Sequence, residues 1–560
     1  MQQALTKLET ILDAFYHWEK TTPDAPFLYQ PLGGRQDILT WAEAGQQARK
    51  MAAYLRKTGL SPGDHVGMVS KNCCHWIIAD LAIMLSGCVS VPFYPTLTPE
   101  QFQEVLALSD VKALFAGKLD DWESFRPGIP EDLPVIAFPD YPGNAKITGG
   151  VSWAEVMEKD LPFLPEYYPE PDTLWTILFT SGTTGTPKGV MLEYKAPAML
   201  IQVERDYNNL ALFGHQENRF FSYLPLNHIA ERAIVECAAV YTGGAIYFVE
   251  NMDTFVQNLQ AARPNTFLAV PRIWSKFQQG ILQKLPQKRL DLLLRIPLIS
   301  TLIRKKIKKG LGLDQARILA TGAAPMPDAL KSWYLRLGMP ILEVYGMTEN
   351  CGACSLMPRN RIKSGVVGKP LQTAEVKIDA DSGEILMTAP WVMRGYYNDE
   401  PKTRQVIRNG WLHTGDQGRL DDEGYLKITG RVSDTFKSSK GKFIVPGPME
   451  SGFARNDFIE QVCVVGMALP QPVALITLSE SGKKAEQNSI KASLTHTLAS
   501  INQGLAGFER IYTVVIVKDD WTIENGILTP TLKIKRNAVS NYYEPYLQDW
   551  IEKKESIVWE

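Results

Sequence analysis

Apolar residues recur at helical spacing early in the chain. Trp41, Ala44, Ala48, Met51 and Leu55 share one helix face, Thr40-Trp41-Ala42-Glu43 before them has the form of a capping box, and Gly59 ends the run. The β-prone run "HVGMVS" follows. The same alternation returns in "IIADLAIMLSG" then "CVSVPFY", and in "PEQFQEVLALSD" then "KALFAG". This βαβ rhythm predicts an α/β domain with a largely parallel sheet. The most apolar stretch, "HWIIADLAIMLSGCVSVPFY", is interrupted by Asp80, Gly87 and Pro92, which predicts a buried helix running into a strand rather than a membrane span. The N-terminal segment is amphipathic and carries acidic residues where a secretory signal needs a basic start, so it reads as folded from the outset.

The texture changes near residue 410. From "WLHTGDQGRLDDEGYLKITGR" onward the apolar runs shorten and turn signals crowd together; "FIEQVCVVGMALPQPVALITL" then reads as hairpin strands before one last helical segment. Between the two textures, "GRVSDTFKSSKGK" is polar and without apolar periodicity, as a hinge is. The predicted fold class is therefore α/β, with a large N-terminal domain of largely parallel sheets over residues 1–430 and a small α+β C-terminal domain over 431–560, joined at a hinge in 430–437.

The 560 residues allow roughly two to four domains and a large core. With 45% hydrophobic and 21% charged residues the chain is an ordinary globular protein, and a net charge of −2 argues against a nucleic-acid binder that relies on bulk electrostatics. Seven cysteines in so long a chain suggest reduced thiols and a cytoplasmic setting.

The densest chemistry lies in "LFTSGTTGTPKGVML", residues 178–192, where a glycine-rich turn separates two β-prone runs. Glycines let a backbone approach an anion and turn successive N–H groups inward as a nest. The hydroxyls of Ser181, Thr183 and Thr184 add donors, and Lys188 adds a mobile cation. The set suits a polyphosphate. A Walker loop needs a Lys-Ser/Thr pair opening a helix; here Pro187 precedes the lysine, Gly189 follows it, and a strand follows that. Taken alone, a Gly/Thr-rich stretch is more often a hairpin without a ligand.

"TSGTTGTPKG" resembles the phosphate-binding loop of the adenylate-forming superfamily, which includes acyl-coenzyme A synthetases, luciferases and peptide-synthetase adenylation domains. The resemblance recurs in order along nearly the whole chain: "YLPLNHIAER", "AVPRIW", "LATGAAPMP", "VYGMTE", "WLHTGDQG", "GRVSDTFK" and "LTPTLKIKR". "PLNHIAER" and "LTPTLKIKR" are most similar to long-chain fatty acyl-coenzyme A synthetases. It implies a reaction in two halves, in which ATP and a fatty acid give an acyl-adenylate and pyrophosphate, and the acyl group then passes to coenzyme A.

The resemblance also implies roles. ATP is bound by Thr180, Ser181, Gly182, Thr183, Thr184, Gly185 and Lys188 of the loop, by Ala323, Ala324 and Pro325, by Val344, Tyr345, Gly346, Met347 and Thr348, and by Asp416, Arg431 and Lys533. Tyr345 stacks on adenine, Thr348 contacts the α-phosphate, and Asp416 accepts from the ribose hydroxyls. Glu349, with Thr184, is the expected Mg²⁺ ligand, since a hard oxygen beside phosphate oxygens and water is what that ion prefers. Lys533 stabilises the charge that builds between carboxylate and α-phosphate, although Lys535 lies two residues on and Leu532 replaces the glycine of many relatives. The expected catalytic group is thus Lys533, Lys188, Thr348 and Glu349. His228 and Gly322 face the acyl group. Ser433 and Asp434 sit at the hinge, about which the small domain rotates to exchange Lys533 for the face at 437–442.

Other features stay open. Cys351 and Cys354 have zinc-like spacing but no second pair. The basic segment "LIRKKIKKGLGL", 302–313, is either a solvated surface or a peripheral contact with the inner face of an anionic membrane. Rival functions are a ligase that stops at acyl-AMP, one that loads a carrier protein, and a non-catalytic acyl or nucleotide sensor.

Overall fold

Thr40 opens the helix Trp41–Lys57 as its sequence predicts: its hydroxyl accepts from Glu43 N at 3.2 Å while the Glu43 carboxylate accepts from Thr40 N at 2.8 Å. In the computed structural model of the chain, which describes residues 8–181, 187–439, 441–529 and 533–560, the same reciprocal cap starts Pro99–Ser109 at Thr98 and Trp153–Glu158 at Ser152. Each cap occupies two N–H groups that a helix start leaves unpaired and contributes about 1 kcal/mol.

Among the described residues the βαβ rhythm builds two large sheets. In the eight-stranded sheet, His65–Ser70 lies between Val89–Phe93 and Val111–Gly117, and the parallel series continues through Val135–Ala137 and Val151–Ser152 on one side and Leu174–Ser181 on the other. It then turns antiparallel, through Pro187–Glu193 to Gly395–Tyr396. The nine-stranded sheet has a parallel centre that includes Arg219–Ser222, Thr266–Ala269, Ile318–Thr321 and Ile341–Tyr345, with antiparallel strands at both ends. Segments leaving the carboxyl ends of parallel strands line ligand crevices in such sheets. Here those segments carry His228, Gly322 and Gly346.

The apolar run at 74–85 is the helix Cys74–Leu85, buried along its whole length except at His75, which is why its residues are apolar all round. Asp80, which interrupts that run in sequence, pairs inside the core with Arg232. The Arg232 guanidinium also binds Glu236 at 2.8 Å and lies 4.3 Å from the Trp175 ring centroid. Burial pushes the Glu236 carboxyl well above the carboxylate range, opposed by Arg232. The chain from Arg232 to Cys237 is wound as a short π-helix.

The C-terminal sheet pairs Ile459–Val465 antiparallel to Val473–Leu478, the predicted hairpin, and continues in parallel through Thr513–Ile516 and Ile557–Trp559. Val464, Ile476 and Val514 face the helix Gln487–Gln503, while Val465, Leu475 and Val515 face Arg536–Glu552. The sequence reading of one last helical segment is therefore corrected to two helices, one on each face. The β-branched run at 513–516 separates them, and the second face needs its own cover because apolar residues alternate on both sides.

Candidate active site

The hairpin of Leu174–Ser181 and Pro187–Glu193 sets Thr180 opposite Lys188 and Ser181 opposite Pro187. Gly182, Thr183, Thr184 and Gly185 lie outside the described residues. The Lys188 ammonium sits 5.8 Å from the Tyr396 ring centroid, and the Tyr396 hydroxyl donates to Glu349 Oε1 at 2.8 Å. Burial and the neighbouring Lys402 hold Lys188 below the ordinary lysine range, against the pull of Glu349 and Asp399. Lys188 and Glu349, over 160 positions apart in the chain, thus share one tyrosine.

The segments at 322–325 and 344–349 meet at the ends of adjacent parallel strands. Gly322 lies against Val344: a Cβ there would stand 2.8 Å from Val344 Cγ2. Ala323 adopts φ +64°, a left-handed conformation that costs a non-glycine residue of order 1 kcal/mol and that clusters at functional sites. Ala324 and Pro325 are exposed beside it. Gly346 admits the backbone of Gly352 where any side chain would collide. Met347 N donates to Asn350 Oδ1 at 2.8 Å, tightening the short turn Thr348–Asn350 that holds Thr348 buried and Glu349 half-buried.

Tyr345, Asp416 and Arg431 form a second cluster. Tyr345 Oη donates to Asp416 Oδ2 at 2.8 Å, and Arg431 Nε donates to Asp416 Oδ1 at 2.8 Å. Asp416 and Arg431 are cross-strand partners, which fixes the pair. Each carboxylate oxygen keeps a second lone pair that a diol can reach.

Lys533, from the C-terminal domain, enters the same site. Crowding by protein lowers its pKa first and repulsion from Arg431 second, while Asp416 and Glu349 act in the opposite direction. The side chain still meets solvent, as befits a group projecting into a cleft. His228 is pushed down to about 4 by burial and by the Lys533 charge. It is neutral at pH 7, and its Nδ1 accepts from Ala230 N at 3.2 Å. Lys535 precedes the helix Arg536–Glu552 without a side-chain cap, and its backbone N–H donates to Ile527 O at 2.8 Å.

At the expected hinge, Ser433 Oγ donates to Asp434 Oδ1 at 3.3 Å, and Asp434 Oδ2 lies 3.4 Å from Arg536 Nε. Arg536 also holds Glu450 through two contacts of 2.8 Å and the Val464 carbonyl at 2.6 Å. Lys437 and Phe443, on the short hairpin beyond the hinge, are exposed, and their ammonium and ring lie 4.9 Å apart. Tyr396 and Arg536 escape the sequence reading. Tyr396 enters only through the pairing of Gly395–Tyr396 with Pro187–Glu193, which no local pattern announces. Arg536 is the last residue of "KIKR" and looks there like one more surface cation. Cys351 and Cys354 are buried, and among the described residues no group of three His, Cys, Asp or Glu is placed to hold a metal.

The AMP-binding enzyme family matches residues 15–397, and the AMP-binding enzyme C-terminal domain matches 433–555. The peroxisomal long chain acyl-CoA synthetase 6 of Arabidopsis thaliana is 30% identical over 90% of this chain and 80% of its own. The long-chain-fatty-acid–CoA ligase FadD15 of Mycobacterium bovis is 29% identical over 94% of both chains. Among solved structures, o-succinylbenzoate CoA synthetase of Bacillus subtilis with its acyl-adenylate superposes with a TM-score of 0.73 at 21% identity, covering 94% of this chain and 97% of that one. With well over half of its length inside the first match and both lobes accounted for, this chain belongs to the AMP-binding enzymes.

Proposed function

We propose that the protein is an AMP-forming long-chain fatty acid–CoA ligase, and that residues 1–430 and 431–560 are its two working domains. The observation that carries this reading is the entry of Lys533 from the small domain into the field of Asp416 and Glu349, beside the hairpin that holds Lys188. The names of the relatives, 80% and 94% of whose lengths this chain covers, support the substrate class.

Adenylation sets a carboxylate against a polyphosphate, two anions that repel. Lys188 neutralises phosphate charge from the hairpin, and Lys533 bridges the carboxylate and the α-phosphate as negative charge builds there. Asp416 holds the ribose with Arg431 behind it; Tyr345, Gly322, Ala323, Ala324 and Pro325 shape the adenine side; Thr348 takes the α-phosphate. Neutral His228 and Gly322 border the acyl group without exchanging a proton. Glu349 fits Mg²⁺: Tyr396 occupies only one of its oxygens, and one hard carboxylate suffices where phosphates and water complete the shell. The ion, held also by Thr184, would neutralise charge on the departing pyrophosphate.

In the second half the thiol of coenzyme A attacks the acyl carbonyl and AMP leaves. Lys533 stands in the way, so the small domain turns at Ser433 and Asp434 and presents the face at 437–442. Seven buried free thiols suit a reducing, cytoplasmic setting, and none of the described helices is long and apolar enough to cross a membrane. Peripheral contact through 302–313 completes the reading.

The test is pyrophosphate release across short, medium, long and aromatic acids, followed by acyl transfer to free coenzyme A against an acyl carrier protein. Fatty-acid-dependent release with transfer to coenzyme A is expected. Release without that transfer, or transfer to the carrier alone, would replace the ligase by one of its rivals, and no release at all would leave a sensor.

A further inference from the structure

The helices Gln287–Leu294 and Pro297–Leu311 form a hairpin whose inner faces complete an apolar cluster with Trp274, Phe277 and Phe267. Leu290, Ile303, Ile307 and Leu311 point into that cluster, which satisfies the amphipathic requirement of both helices. Their outer faces are nevertheless apolar at one end. Leu298 is 83% exposed, Leu302 66%, Leu292 61% and Ile296 42%, four large aliphatic side chains gathered where the two helices join. On a charged protein surface such a group marks an interaction site.

What surrounds the tip selects its partner. Residues 284–310 hold nine Lys or Arg and a single Asp, in a chain whose net charge is −2. Lys288, Arg289 and Arg295 flank the tip on the first helix, and Lys305, Lys306 and Lys309 continue the exposed stripe of Leu298 and Leu302 along the second. The one acid, Asp291, is engaged by Arg336 at 3.0 Å and by Gln287 at 2.8 Å. Aliphatic side chains at the apex with long cationic ones set back along the helices is the arrangement that immerses carbon in a headgroup layer while ammonium and guanidinium groups stay at phosphate level.

We propose that this hairpin tip docks on an anionic lipid bilayer, with Leu292, Ile296, Leu298 and Leu302 entering the interface and the six flanking cations resting on lipid phosphates. The docking stands on the surface alone; its benefit to catalysis rests on the ligase reading, since the cluster behind the tip reaches Tyr223, five residues before His228. A dissolved fatty acid partitions into bilayers, so a docked tip would set the acyl side of the site near its supply.

The test is co-sedimentation of the full-length chain with phosphatidylcholine vesicles, with and without phosphatidylglycerol, at low and high salt. Binding to the anionic vesicles alone, weakened by salt, is expected. Reversal of Lys305, Lys306 and Lys309 to Glu is expected to lower the partition coefficient about a hundredfold or more, and Leu298→Ser with Leu302→Ser about tenfold. A Leu298→Trp variant, which keeps the patch apolar, is expected to show a blue shift of its fluorescence with anionic vesicles only. Equal binding to neutral vesicles, undiminished binding by the reversed variant, or an unshifted emission from the Leu298→Trp variant would overturn the proposal, as would variants that change only the oligomeric state. Pyrophosphate release with a short, water-soluble acid tests the ligase reading separately, and the tip variants are expected to leave it unchanged.

Discussion

Arg272, at the start of the helix Pro271–Lys284, and Glu460, on the first strand of the C-terminal sheet, form an ion pair of 2.7 Å that joins the two domains. Both side chains are open to solvent, 58% and 38% exposed, so the pair is worth at most about 1 kcal/mol and is screened by salt. A contact this weak fits the domain rotation proposed above. Arg272→Glu is expected to shift the balance of the two half-reactions by a few-fold, slowing pyrophosphate release relative to thioester formation from supplied acyl-adenylate. Glu460→Lys should act alike, and the double exchange should restore the ratio. An unchanged ratio in both single variants would remove the pair from the domain equilibrium.

Lys533→Ala is expected to slow adenylation by about a hundredfold or more, the scale of losing one aimed charge at a developing anion, while conversion of supplied acyl-adenylate stays within a few-fold. Lys535→Ala should leave both half-reactions near wild type, because the N–H of Lys535 donates to Ile527 O and its carbonyl accepts from Val539 N, backbone contacts that alanine keeps. Equal loss in both halves for Lys533→Ala would reassign the residue.

Tyr396→Phe removes only the hydroxyl that donates to Glu349 at 2.8 Å. Hydrogen bonds to charged groups contribute roughly 1.5–3 kcal/mol, so the Mg²⁺ concentration giving half-maximal pyrophosphate release is expected to change about tenfold or more. An unaltered Mg²⁺ titration would show that the hydroxyl serves packing alone.

Glu231 is buried, accepts from Tyr223 N at 2.8 Å, and is pushed up to about 8 by desolvation. In the unfolded chain it ionises near 4.5. Its contribution to stability is therefore complete below the unfolded value and fades as pH rises through the folded one. Glu231→Gln keeps the shape without the titration and is expected to flatten the fall in stability between about pH 5 and pH 8, read by urea unfolding at several pH values. A slope equal to that of the wild type would place the proton elsewhere.

Motifs that are contiguous in sequence were the readable part of this site. The strand that carries Lys188, the strand end before Gly346 and the strand through Asp416 each announce themselves within ten residues, because local spacing alone determines what they can present. Partnerships between distant strands are silent by comparison. Tyr396 reaches Lys188 through sheet pairing, Arg536 reaches Asp434 across a hundred residues of chain, and Asp80 looks like a break in an apolar run until Arg232 meets it. The C-terminal helices show the same limit: alternation predicted the hairpin strands correctly, yet a sheet with two apolar faces needed a second covering helix that no single window contains.

The guanidinium of Arg536, three positions from Lys533, lies 3.4 Å from the Asp434 carboxylate and ties the start of the last helix to Glu450 and to the Val464 carbonyl. In the proposed rotation, one side chain thus stands beside both the pivot carboxylate and the segment that carries the reactive cation. Salt weakens the open clasp between Arg272 and Glu460 far more than this sheltered knot, so in the proposed rotation ionic strength would tune how often the lobe lifts rather than the arc of its swing.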